Sequence, residues 1–322
     1  MKQPKIVLAY QAYPMSIGLY FKRAFRRLGL EVTHIGNTTY DSIPWVHPSV
    51  SKPISGMAPD IPDIKLSQRK GRYEPNEWIP LVEDCDLFIN VDAGHHFAGR
   101  GKFKKIIVGT DPHAIPGYPG RREDCDHFCV MQKNYGSPGD FWLPYAYDSR
   151  AHYRTDLPFS QRPIDIIFVG NAYGNRIIDL HRLTKSFVVD QQLGPILEEY
   201  TILHHNAKAA YATPSMNDLP ARFFEAMAVG CAPISRIVPD MKDLGAYPGV
   251  HFIDATTPEL MMAGSEDILR SEDNWVMMLA ECDEWVRPHT WERRVLQMLQ
   301  LTGFVPGDPT DMRAKPAWHN PW

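Results

Sequence analysis

The chain has 322 residues, of which 44% are hydrophobic and 22% are charged, and its formal net charge is −4. This composition excludes an intrinsically disordered protein, and the length favours two domains of ordinary size over one. The five cysteines include no Cys-x-x-Cys pair, which argues against both a disulfide framework and a zinc knuckle.

The first apolar stretch, residues 6–10, is too short for a secretory signal peptide, and no apolar run approaches the roughly 20 residues that span a bilayer. The sequence therefore favours a cytoplasmic protein. Basic side chains outnumber acidic ones in residues 1–160, and the reverse holds in residues 161–322. The basic clusters of the first half are either solvated surface or a face that meets an anionic partner. They are Lys22-Arg23 with Arg26-Arg27, Arg69-Lys70 with Arg72, Lys102 with Lys104-Lys105, and Arg121-Arg122.

The chain opens with a pattern of strand, helix and strand. Residues 6–10 are apolar enough for a central parallel strand, and apolar residues recur at helical spacing from Ile17 to Leu28. Gly29 ends that helix, and residues 31–35 resume an extended pattern. A helix between two such strands predicts a βαβ unit and a parallel sheet.

Residues 37–76 are rich in proline, serine and glycine and show little periodicity, which predicts a long irregular insertion. Two later segments, 83–90 and 123–130, each place an Asp before a short apolar strand, and residues 105–109 predict another strand between them. Each segment contains an Asp-x-Asp motif, which can hold a divalent metal beneath a diphosphate. The position of the second Asp at the start of a buried strand favours a structural role instead.

A linker at residues 156–163 precedes a second apolar strand at 164–170, and the last strong helix pattern covers residues 290–301. The tail that follows is rich in proline and contains two tryptophans. These features predict an N-terminal Rossmann-like domain at residues 1–158, a C-terminal Rossmann-like domain at 159–302 and a tail at 303–322.

A glycine-containing turn follows the second of these strands and contains Gly170, Asn171, Tyr173, Gly174 and Arg176. The backbone N–H groups of such a turn, with the N-terminus of the next helix, can bind a phosphate, and Arg176 adds positive charge. The spacing of the two glycines matches neither a GxGxxG fingerprint nor a P-loop. A tight structural turn is therefore an open alternative.

The most specific segment is residues 215–234, in which a polar loop with Asn217 leads into a helix that begins near Pro220. Glu225 lies among apolar residues of this helix, where a carboxylate is costly unless it accepts hydrogen bonds. Ribose hydroxyls are suitable donors for such a carboxylate. The alternatives are that Glu225 pairs with Arg222 or is simply exposed.

Polar residues also follow two predicted strands of the first half, at the edge where open α/β sheets bind ligands. They are Asp92 with His95-His96, and Asp111 with His113. Asp111, Asp92 or His113 can serve as the base that accepts a proton from a hydroxyl group. A purely structural role is the alternative for each, and the histidine spacing matches no metal-site pattern.

The segment Arg-x-Phe-Glu-Ala-Met-Ala-x-Gly at residues 222–230 resembles the donor-binding segment of group 1 GT-B glycosyltransferases, especially the CgeB-like (spore-maturation type) branch. Residues 18–32, 168–176 and 288–294 resemble further segments of the same family. The resemblance implies an α/β fold of the GT-B type, in which two Rossmann-like domains face each other across a cleft. It also implies a glycosyltransferase that takes a nucleotide-sugar donor, usually a UDP-sugar.

By this resemblance, Glu225 binds the ribose of the donor, and Arg222 and Arg176 face its diphosphate. Closure of the two domains around donor and acceptor excludes water that would hydrolyse the donor. Positive groups at the diphosphate stabilise the leaving charge. The resemblance further implies that neither a metal ion nor another cofactor is required.

The loop of Gly170, Asn171 and Tyr173 lies beneath the diphosphate in such enzymes, and Gly18 matches the opening turn that is assigned to donor binding. One position departs from the family. Relatives with a Glu-x7-Glu pair place their first carboxylate where this chain has Asn217. An Asn side chain can still form hydrogen bonds with a sugar, but it cannot act as a carboxylate.

The acceptor is open between two classes. A hydroxyl on a saccharide, polymer or protein is the first expectation, and a hydroxymethylated base in DNA, as in phage-type transferases, is the alternative. A non-catalytic nucleotide-sugar-binding module is a further alternative. A dinucleotide-dependent oxidoreductase is disfavoured, because no GxGxxG fingerprint follows the first predicted strand.

Overall fold

The computed structural model describes residues 3–13, 16–37, 60–66, 70–111, 115–214 and 216–311. The chain divides into two compact units, Met1–Pro144 with Trp291–Trp322, and Tyr145–Thr290. Both units are built from parallel sheets and helices. No helix in the described ranges is long and apolar enough to cross a membrane.

The elements of the first unit up to residue 144 are β1 (Ile6–Ala9), α1 (Ile17–Arg27), β2 (Val32–Gly36), β3 (Ile64–Lys65), β4 (Arg72–Tyr73), α2 (Pro75–Trp78), β5 (Leu87–Asp92), β6 (His96–Phe97), β7 (Lys104–Gly109), β8 (His127–Val130) and β9 (Phe141–Trp142). Among the described residues, seven of these strands form one parallel sheet in the order β3-β2-β1-β5-β7-β8-β9. A second ladder pairs β4 with β6.

The strand order of the first sheet reverses between β1 and β5. Strands β2 and β3 lie on one side of β1, and the strands from β5 onward lie on the other. Both central strands are fully buried, because helices and loops cover both faces of a parallel sheet. Ligands of open α/β sheets bind beside such a reversal, at the carboxyl ends of the strands.

The elements of the second unit are β10 (Ile164–Val169), α3 (Asn175–Leu183), β11 (Val189–Gln192), α4 (Leu197–His204), β12 (Ala207–Tyr211), α5 (Ala221–Ala228), β13 (Ala232–Ser235), α6 (Pro239–Asp243), β14 (Ile253–Asp254), α7 (Pro258–Leu269) and α8 (Glu272–Val286). Its parallel sheet has the order β11-β10-β12-β13-β14 over the residues that the structure describes. The order reverses between β10 and β12. The loops that follow these two strands therefore meet where a ligand is expected.

The last helix, α9 (Trp291–Leu301), belongs to the first unit. The ring of Trp291 packs against Tyr20 and Phe21 of α1, at centroid distances of 5.4 and 5.1 Å, and Glu292 pairs with Arg27. The sequence placed the domain boundaries after residues 158 and 302, whereas the structure divides the chain after Pro144 and after Thr290. The difference arises because helical periodicity shows that a face is apolar but does not show which helix covers it.

Both Asp-x-Asp motifs bind backbone groups at strand starts. The Asp86 carboxylate accepts a hydrogen bond of 2.8 Å from the backbone N–H of Lys5, next to β1. The Asp126 carboxylate accepts one of 2.7 Å from the backbone N–H of Lys105 in β7. These contacts give the second Asp of each motif a structural role at the start of a strand.

Candidate functional site

The glycine turn after β10 lies at the reversal point of the second sheet. Gly170 has a φ of +141°, and its N–H donates a hydrogen bond of 3.0 Å to the carbonyl of Gln192 at the end of β11. A Cβ atom at this position would lie 3.2 Å from Nη2 of Arg222. Gly174, with a φ of +56°, immediately precedes α3. Glycine at position 170 thus leaves the space that the Arg222 guanidinium occupies.

Arg222 lies in the first turn of α5 and is half-buried. Its guanidinium carbon lies 5.5 Å from the ring centroid of Phe168. Its Nη1 atom is buried and has no hydrogen-bond partner among the described residues. Because buried polar groups are nearly always hydrogen-bonded, this donor indicates a site for an acceptor that the described residues do not provide.

Arg176, which is 5% exposed, connects the two loops at the reversal point. Its Nε donates a hydrogen bond of 3.2 Å to the Thr213 carbonyl after β12, and its Nη1 donates one of 3.3 Å to the Asn171 carbonyl after β10. Burial, and then the neighbouring charge of Arg222, lower the pKa of Arg176. Its guanidinium carbon also lies 4.8 Å from the ring centroid of Tyr173. Arg176 therefore holds the shape of the site as well as adding charge to it.

Glu225 is 8% exposed, one turn after Arg222 on α5. Its Oε1 lies 4.0 Å from Nε2 of His152. The Nδ1 atom of His152 accepts the backbone N–H of Asp148 at 3.1 Å, so a neutral ring carries its proton on Nε2, towards the carboxylate. Burial, and then the charge of Glu225, raise the pKa of the buried Tyr200. A buried carboxylate in such surroundings is suited to accept hydrogen bonds from hydroxyl groups.

Asn217 is exposed in the loop between β12 and α5. In the same loop, the Asp218 carboxylate accepts a hydrogen bond of 3.0 Å from the backbone N–H of Met216. Helix α5 begins after Pro220 without a side-chain cap. The Asn217 amide therefore lies a few residues before the first N–H groups of α5, which can bind an anion.

Sequence reasoning missed Arg236, the first residue after β13. Its Nη2 donates a hydrogen bond of 2.7 Å to the carbonyl of Pro214, in the loop after β12. Its Nε is buried and has no hydrogen-bond partner in the part of the chain that the structure describes. A basic residue directly after a buried strand was the only signal in the sequence.

In the first unit, Asp92 ends β5 and is fully buried. Its Oδ1 accepts a hydrogen bond of 2.9 Å from the Gly94 N–H, and its Oδ2 accepts one of 3.2 Å from Nε of Arg121. Nδ1 of His96 lies 3.8 Å from the same Oδ2. Both carboxylate oxygens of Asp92 thus already have partners.

Asp111 follows β7 and is half-buried. Its Oδ2 accepts a hydrogen bond of 2.8 Å from the Thr110 hydroxyl, and its backbone N–H donates one of 2.9 Å to the Tyr118 hydroxyl. Asp111 is thus more accessible than Asp92 at the same edge of the sheet. His113, the third candidate base, lies outside the described residues.

Gly18 lies in the first turn of α1, where the Ser16 hydroxyl accepts a hydrogen bond of 3.2 Å from its N–H. A Cβ atom at Gly18 would lie 2.0 Å from Cγ of Tyr10. Glycine therefore lets α1 pack directly against the ring of Tyr10. This packing accounts for glycine at the position without a ligand.

A cavity of about 10 Å³ lies near the reversal point of the first sheet. It is lined by Tyr10, Gln11, Gly36, Asn37, Tyr73, His95 and Phe97. Nε2 of Gln11 is buried and has no hydrogen-bond partner within the described ranges. The cavity volume is enough for a single water-sized group.

Most of the basic clusters in the first unit are neutralised by carboxylates. The ion pairs are Lys22–Asp60, Arg27–Glu292, Lys70–Glu77, Arg72–Glu74, Arg121–Asp92 and Arg122–Asp140. Lys105 is fully buried, and its ammonium donates hydrogen bonds to the carbonyls of Phe97 and Gly99. The expectation that Lys105 contributes to a basic surface is therefore wrong, whereas Lys102 and Lys104 are exposed.

No protein-family model matches the sequence, and no curated protein matches it either. Solved structures do match. Sucrose-phosphate synthase from Thermosynechococcus elongatus has 14% identity and a TM-score of 0.59, and the match covers 94% of this chain and 98% of that one. An alpha-glucosyltransferase in complex with UDP and a 13-mer DNA with a central A:G mismatch has 13% identity and a TM-score of 0.57, with 89% and 96% covered. The fold is that of the GT-B glycosyltransferases.

The GT-B fold is also shared with an enzyme of another class. A UDP-N-acetylglucosamine 2-epimerase has 11% identity and a TM-score of 0.54, and the match covers 96% of this chain and 99% of that one. At such identities the similarity establishes the fold, and the reaction has to be argued from the site. Within the described residues, no group of three or more His, Cys, Asp or Glu side chains could hold a metal ion.

Proposed function

We propose that this protein is a glycosyltransferase that moves a sugar from a UDP-sugar to an acceptor hydroxyl. The observation that carries the proposal is Nη1 of Arg222, which is buried beside the Gly170 turn and has no hydrogen-bond partner among the described residues. It lies at the reversal point of a parallel sheet, one helical turn from the buried carboxylate of Glu225. This arrangement offers one group for a phosphate and one for ribose hydroxyls.

In the proposed reaction, the second unit binds the donor. Glu225 accepts hydrogen bonds from the ribose, Asn217 contacts the sugar, and Arg222 faces the diphosphate. As the bond between the sugar and the diphosphate breaks, negative charge develops on the leaving phosphate, and a fixed guanidinium stabilises that charge. A metal ion is not needed for this role, and we propose that none takes part.

The first unit is proposed to bind the acceptor. Asp111 is a better candidate base than Asp92, because Asp111 is partly exposed while both oxygens of Asp92 already accept hydrogen bonds. A base must reach the proton of the acceptor hydroxyl directly or through one water molecule.

We propose a saccharide, polymer or protein hydroxyl as the acceptor. Two of the similar structures, both of an alpha-glucosyltransferase, were solved with DNA, which keeps a DNA acceptor as the alternative. The ion pairs within the basic clusters favour the first class, because a protein that binds DNA neutralises phosphates with free Lys and Arg side chains. Membership of the CgeB-like branch and a cytoplasmic location are parts of the same proposal.

The first test is thermal stabilisation by UDP, GDP, ADP, CMP and NAD. A ligand at one hundred times its Kd adds about 2.7 kcal/mol of stability, which is roughly 5–10 °C for a unit of this size. We expect this shift with UDP for the wild type and for the control Glu199→Ala, which changes an exposed residue of α4. Glu225→Ala should abolish it, because the variant lacks the ribose contact. A shift with NAD alone would show that the proposal is wrong.

A second readout separates transfer from epimerisation. The wild type is incubated with UDP-N-acetylglucosamine without acceptor, and the sugar is analysed by NMR. We expect the sugar of the nucleotide to remain unchanged at C2. Accumulation of the C2 epimer would replace the proposed transferase with an epimerase of the same fold.

A further inference from the structure

Arg236 lies at the edge of the second sheet where we propose that the nucleotide-sugar binds. It follows β13, which pairs with β12, and so lies at the carboxyl edge of the second sheet. Its Nη2 donates to the carbonyl of Pro214, which attaches the guanidinium to the loop that leads to α5. This hydrogen bond holds a long, flexible side chain in one place.

The positive charge of Arg236 has no carboxylate partner among the described residues, and its Nε is buried without a hydrogen bond. Other arginines of this chain do pair with a carboxylate, as Arg122 does with Asp140 at 2.6 Å. A buried, unfilled donor on a charged group costs stability unless a ligand supplies the acceptor. The missing partner of the Arg236 Nε therefore suggests that this site takes an anionic ligand.

Two other arginines hold the same loop or lie next to it. Arg176 donates to the carbonyl of Thr213, and Arg236 donates to the carbonyl of the next residue, Pro214. Arg176 uses its Nη1 on a second carbonyl, so two of its nitrogens are already bound to the backbone. Nη1 of Arg222, at the other end of the loop, is buried and has no partner in the part of the chain that the structure describes. Of the three arginines at this loop, Arg222 and Arg236 thus each have a buried nitrogen without a hydrogen-bond partner among the described residues.

We propose that Arg236 is a donor-binding residue that contacts the distal phosphate of the nucleoside diphosphate. Arg222 contacts the same diphosphate from α5, and Arg176 is a positioning residue that holds the two loops. This assignment rests on the proposed function, since it takes a nucleotide-sugar as the ligand. A diphosphate has acceptor oxygens on two phosphorus atoms and can fill both guanidinium donors at once.

The test compares UDP with UMP, because UMP lacks the distal phosphate. Isothermal titration measures the Kd of both nucleotides for the wild type, Arg236→Gln, Arg236→Lys and the control Arg287→Gln. Arg287 is exposed in the same unit and pairs with Asp283. We expect Arg236→Gln to weaken UDP about 10- to 100-fold, the effect of one charged hydrogen bond, and to change UMP less than about threefold. Arg236→Lys should lie between, because lysine keeps the charge but not the planar fork.

Equal weakening of UDP and UMP by Arg236→Gln would overturn the assignment, because the residue would then act on the nucleoside or on the loop. Unchanged binding of both nucleotides would overturn it as well. Melting temperatures without ligand show whether each variant is folded, and Arg236→Lys supplies the comparison if Arg236→Gln is not. Wild-type protein that binds none of UDP, GDP and ADP would overturn the proposed function itself, which separates the two failures.

Discussion

At the scale of single residues, Gly170 combines an unusual backbone conformation with a contact to the site. Its φ of +141° is a conformation that residues with a Cβ atom rarely adopt, and its missing Cβ leaves room for Nη2 of Arg222 at 3.2 Å. Gly174, in the same turn, also has a positive φ but has no atom within 4 Å of its Cβ position. Substitutions at these two glycines therefore distinguish the effect of backbone strain from the effect of displacing Arg222.

We predict that Gly170→Ala and Gly174→Ala each lower the free energy of unfolding by about 1–3 kcal/mol, the usual cost of a strained backbone. Only Gly170→Ala should also weaken UDP, by about tenfold, because the new methyl group displaces the guanidinium. Urea unfolding and the Kd for UDP measure the two effects. Equal loss of UDP binding in both variants would mean that the shape of the turn, and not the position of Arg222, controls the affinity.

The sequence predicted Glu225 and Arg222 as site residues, since both stand in one short segment with a distinctive pattern of residues. It did not predict Arg236, because the partner of that side chain is a backbone carbonyl in another loop, and carbonyls are present at every position. Lys105 is the opposite case, because the sequence suggested a functional surface position for a residue that is buried. Its neighbours Lys102 and Lys104 suggested a surface cluster. Strand β7 lies inside the sheet, between β5 and β8, and burial lowers the pKa of Lys105 to about 8.

At the scale of elements, the packing of α1 against β1 depends on Gly18. We predict that Gly18→Ala lowers the free energy of unfolding by about 2–4 kcal/mol, because its Cβ would lie 2.0 Å from the ring of Tyr10. Urea unfolding measures the change. The control is Gly71→Ala, where the nearest atom to a new Cβ is 3.8 Å away. An unchanged stability of Gly18→Ala would show that the ring of Tyr10 moves freely and that the packing does not require glycine at this position.

Long periodic elements were predicted from the sequence, and short ones were not. The strand at β1, the helix at α1 and the helix at α5 follow from apolar runs and from glycines at their ends. The two-residue strands β3, β4, β6 and β9 carry too few residues for a period to be visible. The partner of α9 could not be predicted either, because α1 lies far away along the chain.

At the scale of the whole molecule, two buried histidines make stability depend on pH. Burial lowers the pKa of His34, in the first unit, to about 4 and that of His204, in the second unit, to about 3. Between pH 6.5 and about 4 the unfolded chain binds a proton at each histidine while the folded chain does not, so stability falls as the pH falls. We predict a loss of about 2 kcal/mol for each histidine at pH 5.

Chemical unfolding at pH 7.5 and pH 5 measures this loss. His204→Phe keeps an aromatic ring beside Tyr200, on which His204 stacks at 3.7 Å, but removes the titrating group. We expect the variant to lose about 2 kcal/mol less than the wild type on acidification, whereas the exposed control His181→Phe should behave as the wild type does. An equal loss in all three proteins would show that His204 does not contribute to the acid sensitivity.

The return of α9 to the first unit also sets an order of events during synthesis. Helix α1 is translated long before Trp291, which packs on its residues Tyr20 and Phe21. The second unit, Tyr145–Thr290, is continuous in sequence and is translated between the two. Domains fold as units when their sequence is available. The first unit is therefore completed only after the second unit has been translated, and α1 lacks its contact with Trp291 until then.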